Sequence, residues 1–173
     1  NGYAINMRGV DGGTISGCEF MDFNGGVVIQ ASHNILVEDN LFTGGYTTVI
    51  ANDPTVNVEK GSKMINVYRQ SDKVTIIGNI FSGPVLDAIS IAQGSGSNVI
   101  EDNEFIKNTY SIYFGGSSTK NTVVRNNTFS YGGEFKFDDQ YWERLPVISI
   151  QKASNDIAFV NNTFDAVENS ILI

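Results

Sequence analysis

Ile35-Leu36-Val37-Glu38-Asp39-Asn40-Leu41-Phe42 joins a β-branched run to a polar step and then to Asn-x-Phe. The ending returns as Asn79/Phe81, Asn103/Phe105, Asn127/Phe129 and Asn162/Phe164, and as Cys18/Phe20 with Cys in place of Asn. Successive Phe residues lie 22, 39, 24, 24 and 35 positions apart. The equal steps of 24, with 22 beside them, set the period, and the two long steps read as single periods that carry insertions. A repeat of this length marks a solenoid, in which one turn cannot bury its apolar face alone and stacked turns share a continuous core.

A second signature precedes the first in each repeat. Ala88-Ile89-Ser90-Ile91-Ala92 matches Met64-Ile65-Asn66-Val67-Tyr68, Ser111-Ile112-Tyr113-Phe114-Gly115 and Val147-Ile148-Ser149-Ile150-Gln151. Ala4-Ile5-Asn6-Met7-Arg8 and Val27-Val28-Ile29-Gln30 fit the same frame, and Ser170-Ile171-Leu172-Ile173 begins a seventh. Alternation at period two sends Ile5, Met7, Val27, Ile29, Ile65, Val67, Ile89, Ile91, Ile112, Phe114, Ile148 and Ile150 inward. Asn6, Val28, Asn66, Ser90, Tyr113 and Ser149 then line up on the other face. A polar turn such as Gly94-Ser95-Gly96-Ser97-Asn98 separates this strand from the β-branched run. Strand, turn, strand, Asn corner and Phe make one coil of a parallel β-helix.

The Asn before each Phe has a physical task in that coil. Asn tolerates the left-handed backbone that a tight corner needs. Stacked at about 4.8 Å, the Asn side chains can hydrogen-bond from coil to coil as an asparagine ladder. The Phe residues are expected to stack in the core. Both series read as structural.

These repeats resemble the right-handed parallel β-helix superfamily, with the single-stranded, pectate-lyase-like (pectin-lyase-like) coils of carbohydrate-binding proteins and sugar hydrolases. The resemblance covers nearly the whole chain and implies an all-β solenoid of about six to seven coils. For activity it implies a range: polysaccharide lyases, hydrolases, uronate epimerases, phage tailspikes and surface adhesins share the fold.

Length and composition agree with one domain over residues 1–173, because a solenoid lengthens its core linearly. A net charge of −8 argues against nucleic acid, which needs a basic track, and means that an anionic polysaccharide would need a local positive patch. The single Cys excludes an intrachain disulfide, and Cys18 at a ladder position reads as a buried thiol. No apolar run approaches the roughly 20 residues of a membrane span. His33, the only His, sits in the polar turn Ala31-Ser32-His33-Asn34 and reads as solvated. No residues are assigned to a metal, and no motif names a cofactor. The chain starts at the turn into a strand and stops inside one, so a segment of a longer protein is expected. Flanking domains or a second copy would then cap its ends.

Two insertions share one phase of the repeat, just upstream of the alternating strand. The first covers about residues 51–63 and the second about 132–145, which holds the only Trp. Their roots, about three coils or roughly 14 Å apart, flank a face suited to an extended polymer. On that face Asn66, Tyr68, Gln151 and Lys152 are the expected polar contacts to sugar. Trp142 and Tyr141 are expected either to stack on a sugar ring or to tuck the insertion onto the solenoid.

Candidate chemistry is carried by Asp138, Asp139, Tyr113 and Arg69. Two separated carboxylates could serve glycoside hydrolysis, and Asp138-Asp139 resembles an aspartate pair of the β-helical polygalacturonases. The Gly-His-Gly and Arg-x-Lys elements of that family are absent, as is the Asp-Pro-His-Asp signature of the mannuronan epimerases; here Asp53-Pro54 is followed by Thr55. A lyase needs a base such as Tyr or Lys beside a cation that neutralises a uronate, which Tyr113, Arg69, Tyr68 and Lys152 could supply. The sequence therefore points to a secreted, cell-surface or virion β-helix that engages a polysaccharide. A carbohydrate-active enzyme is the leading version, and a tailspike or adhesin segment is the alternative.

Overall fold

Every alternating strand pairs in parallel with the corresponding strand of the next coil. The computed structural model describes residues 3–23, 25–44, 63–83, 85–115, 119–132, 134–136, 142–144, 146–151, 154–167 and 171–172, with backbone alone at 134–136, 142–144 and 172. Seven strands form the first sheet: Ile5–Arg8, Val27–Gln30, Lys63–Tyr68, Asp87–Ala92, Tyr110–Gly115, Ile148–Ile150 and Ile171–Leu172. The β-branched runs form a second sheet of six, from Asp11–Ser16 to Asn155–Val160. A third sheet of six runs from Glu19–Met21 to Thr163–Asp165. The described residues thus make six coils of three strands each and the first strand of a seventh, a parallel β-helix.

The third sheet is more than the sequence predicts. Each Phe after the corner is the middle residue of a three-residue strand, as in Glu104–Ile106 and Thr128–Ser130. Phe105 pairs with Phe81 on one side and Phe129 on the other. The six rings stack in one column, with centroid distances of 4.5, 5.0, 5.0, 4.8 and 4.9 Å from Phe20 to Phe164. Parallel strands one hydrogen bond apart hold the rings at this spacing, which is that of offset stacking. The inward residues of the first sheet meet this column across the lumen, where Ile29, Ile65, Ile89, Ile112 and Phe114 are fully buried.

The corner is built differently from the expectation. Its left-handed residue is the one before the ladder Asn: Gly17, Asp39, Gly78, Asp102, Asn126 and Asn161 have φ of 63°, 53°, 66°, 53°, 56° and 52°. That residue turns the chain, and the Asn after it sends its side chain into the corner. Asn79 shows the pattern. Its Nδ2 donates to Asn103 Oδ1 at 3.0 Å and to Val37 O at 2.9 Å, while its backbone N–H donates to the same Asn103 oxygen at 2.9 Å. Asn40, Asn103 and Asn127 repeat the amide-to-amide bond, ending on Asn162. Cys18 has no amide to contribute. Its backbone N–H donates to Asn40 Oδ1 at 2.9 Å, and its thiol is half-buried instead of enclosed, because no described coil lies beyond it.

The second insertion contains an antiparallel ribbon, Glu134–Lys136 against Trp142–Arg144, with Lys136 opposite Trp142. Lys63, which the sequence places at the end of the first insertion, is the first residue of its strand. Among the described residues no helix is long and apolar enough to cross a membrane.

Candidate functional site

The outward row of the first sheet is in the register that the repeat predicts. Asn6 pairs with Val28, Val28 with Asn66, Asn66 with Ser90, Ser90 with Tyr113, and Tyr113 with Ser149. Alternation sets the direction of these side chains but not their exposure. Val28, Ser90 and Ser149 are buried, and Asn66 and Tyr113 are half-buried. The open, small-residue floor expected between the insertions is therefore covered at these three positions. At Ser90 the cover is visible: Lys63 Nζ donates to Ser90 Oγ at 3.0 Å, and the same ammonium sits 5.5 Å from the centroid of the Tyr113 ring.

Lys63 organises a cluster of ionisable and aromatic groups. Its strand neighbour in register is Asp87, which in turn pairs with Tyr110. Lys63 Nζ forms an ion pair with Asp87 Oδ2, whose side chain is only 4% exposed. Tyr110 and Tyr113 lie with ring centroids 5.8 Å apart. Tyr113 lies across Gly115, where an added Cβ would come within 2.1 Å of the ring, so only glycine lets the ring lie flat there. A buried cation–carboxylate pair under two tyrosines is costly to assemble unless each charge is matched.

Burial pushes the Asp87 carboxyl above its ordinary 3.8, and the charge and hydrogen bond of Lys63 pull it back only in part. A carboxyl whose pKa is higher in the fold than in the unfolded chain binds its proton more tightly when folded. Its contribution favours the fold at low pH and is lost as pH rises from the unfolded value through the folded one. Stability measured by urea melts from about pH 4 towards neutrality should therefore fall more in the wild type than in Asp87→Asn. Parallel curves for the two proteins would mean that Asp87 does not titrate in this window.

A second cluster lies near the other end of the strands. Gln30, buried, donates from Nε2 to Asn6 Oδ1 at 3.1 Å. Its Oε1 accepts from Tyr68 OH at 3.1 Å and from Arg69 Nη1 at 3.2 Å. The Arg69 guanidinium lies 5.3 Å from the Tyr68 ring centroid. Arg69 and Tyr113 thus belong to different clusters, two coils and about three residues apart, roughly 14 Å between backbone positions. They are not members of one proton-transfer centre.

Of the other predicted site residues, Gln151 is exposed and tied by its backbone N–H to Phe114 O at 2.9 Å. Trp142 starts the outer strand of the hairpin. Asp138, Asp139, Tyr141 and Lys152 lie outside the described residues. Asp87, Gln30 and Tyr110 were not singled out from the sequence, although a signal existed. Lys63 and Asp87, and likewise Asn6 and Gln30, are 24 residues apart, one plain coil. Among the described residues no group of three His, Cys, Asp or Glu side chains is placed to hold a metal ion.

Three solved structures place this fold among known ones. An alginate lyase from Paenibacillus sp. str. FPU-7 superposes with a TM-score of 0.68 over 94% of this chain and 53% of its own, at 14% identity. A DFA-IIIase from Arthrobacter chlorophenolicus A6 gives 0.72 over 94% of this chain and 36% of its own, also at 14% identity. The Streptococcus pneumoniae surface protein and adhesin PfbA gives 0.59 over 96% and 68%, at 16% identity. The chain therefore spans about half the length of the first and about a third of the second. No curated protein sequence matches it. The model of the right-handed β-helix region matches residues 1–129, three quarters of the chain, so this protein belongs to the right-handed β-helix family.

Proposed function

We propose that this chain engages a polysaccharide along the outer face of the first sheet, as a segment of a carbohydrate-active enzyme of the lyase, glycoside hydrolase or uronate epimerase type. The observation that carries this reading is the Lys63–Asp87 pair with Tyr110 and Tyr113, a buried ionisable cluster outside the core, on strands that follow the two insertions. A solenoid has no structural need for such a pair there, since Ile and Val fill the equivalent work inside. Elimination from a uronate asks for a base beside a cation, and Tyr113 and Lys63 supply both kinds of group. Hydrolysis asks for a second carboxylate, which Asp138 or Asp139 would bring. Trp142 and Tyr141 supply stacking, and Asn66, Tyr68, Gln151 and Lys152 supply polar contacts. The setting is extracellular, on a cell surface or on a virion, with flanking domains or a second copy at the solenoid ends.

A second reading, a non-enzymatic adhesin or tailspike segment, is favoured by one observation. Asp87 is the sole carboxylate of the cluster among the described residues, and Lys63 holds it. A glycan array combined with a reducing-sugar assay separates the two readings: retention with bond cleavage supports the enzyme, and retention alone supports the adhesin. Trp142→Ala should weaken binding of the retained oligosaccharide by about 1–3 kcal/mol with little change in Tm. Failure to retain any acidic or neutral glycan would sink both readings. A lower Tm with unaltered affinity would make Trp142 a structural residue.

A further inference from the structure

Arg69 is an immobilised cation that the protein does not neutralise. The chain carries 19 acids against 11 basic residues, yet among the described residues no carboxylate pairs with this guanidinium. Neutral partners hold it instead: Gln30 Oε1 accepts from Nη1, and the Tyr68 ring lies beneath the plane. Gln30 is itself fastened to Asn6 and Tyr68, so the platform under the guanidinium is a closed set of hydrogen bonds.

The backbone also favours a residue other than Arg at this point. The position after each strand of the first sheet is left-handed: Gly9, Ala31, Arg69 and Gln93 have φ of 65°, 47°, 57° and 55°. Gly or Asn adopts that conformation at less cost than a long side chain. Arg69 is followed by a second left-handed residue, Gln70 at 62°, whose N–H is held by Gln93 O at 2.9 Å. In the next coil the same second position is Gly94, at 80°. Strained backbone kept with an unpaired, stacked cation is the combination expected where a ligand supplies the missing charge.

We infer that Arg69, with Tyr68 and Gln30, forms a subsite for an anionic sugar substituent whose two oxygens accept in parallel, a carboxylate or a sulfate. This inference rests on the saccharide reading above and narrows it to acidic polysaccharides. A guanidinium presents five N–H donors in a planar fork that matches such a group, and a ring beneath it fixes the plane. Arg8 extends the subsite. It is exposed and in register with Gln30, which is in register with Tyr68. Arg8 and Tyr68 therefore stand two coils apart, about 10 Å, the reach of about two sugar units. The direction of the polymer follows from this: it runs along the solenoid axis, so that sugars and coils advance together.

The test uses the full chain and three oligosaccharides of equal length: an oligogalacturonate, a sulfated oligosaccharide and a neutral cello-oligosaccharide. Calorimetry should show an acidic oligomer binding more tightly than the neutral one, with affinity falling as salt rises. The tighter of the two acidic oligomers identifies the substituent as carboxylate or sulfate. Arg69→Asn keeps a residue suited to the left-handed backbone, and should weaken acidic binding by about tenfold with Tm unchanged. Arg69→Lys, which keeps the charge and loses the fork, should fall between the two. Equal binding of acidic and neutral oligomers, or an Arg69→Asn variant with undiminished acidic affinity, overturns this inference and leaves the saccharide reading standing. A lower Tm with equal losses for acidic and neutral oligomers also overturns it, because Arg69 would then only fasten its turn. Absence of binding to all three overturns both.

Discussion

Phe105→Ala should destabilise the protein by about 3–5 kcal/mol, the largest single loss expected in this chain. Phe105 is buried in the middle of the ring column, 5.0 Å from Phe81 and 4.8 Å from Phe129. Truncation removes one ring and leaves the facing surfaces of two others without partners. Parallel strands on both sides fix the coil spacing, so the neighbours cannot move together to fill the gap. The same change at Phe20 should cost less, because that ring stacks on Phe42 alone in the column and is 8% exposed. Solenoid stability is close to a sum of terms between adjacent coils, and an end coil contributes fewer of them. Denaturant melts of both variants measure the difference. A Phe105→Ala loss under about 1 kcal/mol would mean that the column carries no packing energy.

Asn103→Ala should cost about 3 kcal/mol, the upper end for orphaning a buried polar group. Asn103 Oδ1 accepts from both the backbone N–H and Nδ2 of Asn79. Its own Nδ2 donates to Ile76 O, Glu101 O and Asn127 Oδ1. Asn79 Nδ2 has other acceptors in Val37 O and Ile77 O, so the main orphan in the variant is the Asn79 backbone N–H. Asn103→Asp is the sharper comparison. The carboxylate still accepts from Asn79 but cannot donate to the three oxygens around it, and it buries a charge beside them. Asn103→Asp should therefore recover as pH falls below the carboxylate range, whereas Asn103→Ala should not. Equal stabilities for the wild type and Asn103→Ala in thermal melts would show that the amide series is dispensable.

Together these variants separate the two columns that run the length of the solenoid. The ring column acts by volume and is insensitive to pH. The amide column acts by donor and acceptor count, so replacing one amide oxygen pattern by a carboxylate converts it into a pH-dependent element.

The coil, its period and the register of its first sheet were legible in the sequence. Asn66, Ser90, Tyr113 and Ser149 stand side by side because strand parity is a property of the backbone, and repeated parity at a fixed spacing leaves one alignment. Three-residue strands such as Glu104–Ile106 were not legible, since alternation cannot declare itself over so short a run. The left-handed corner residue was misplaced by one because Asp, Gly and Asn at that position and the Asn after it all tolerate the conformation. Of the site, the sequence located Asn66, Tyr68, Arg69 and Tyr113 on one sheet. Tertiary structure alone decided that Lys63 reaches over Ser90 to Asp87, that Gln30 ties Tyr68 to Arg69, and that Val28, Ser90 and Ser149 are covered. The direction of a side chain follows from its own strand, but what covers it depends on how far the side chains of neighbouring coils reach.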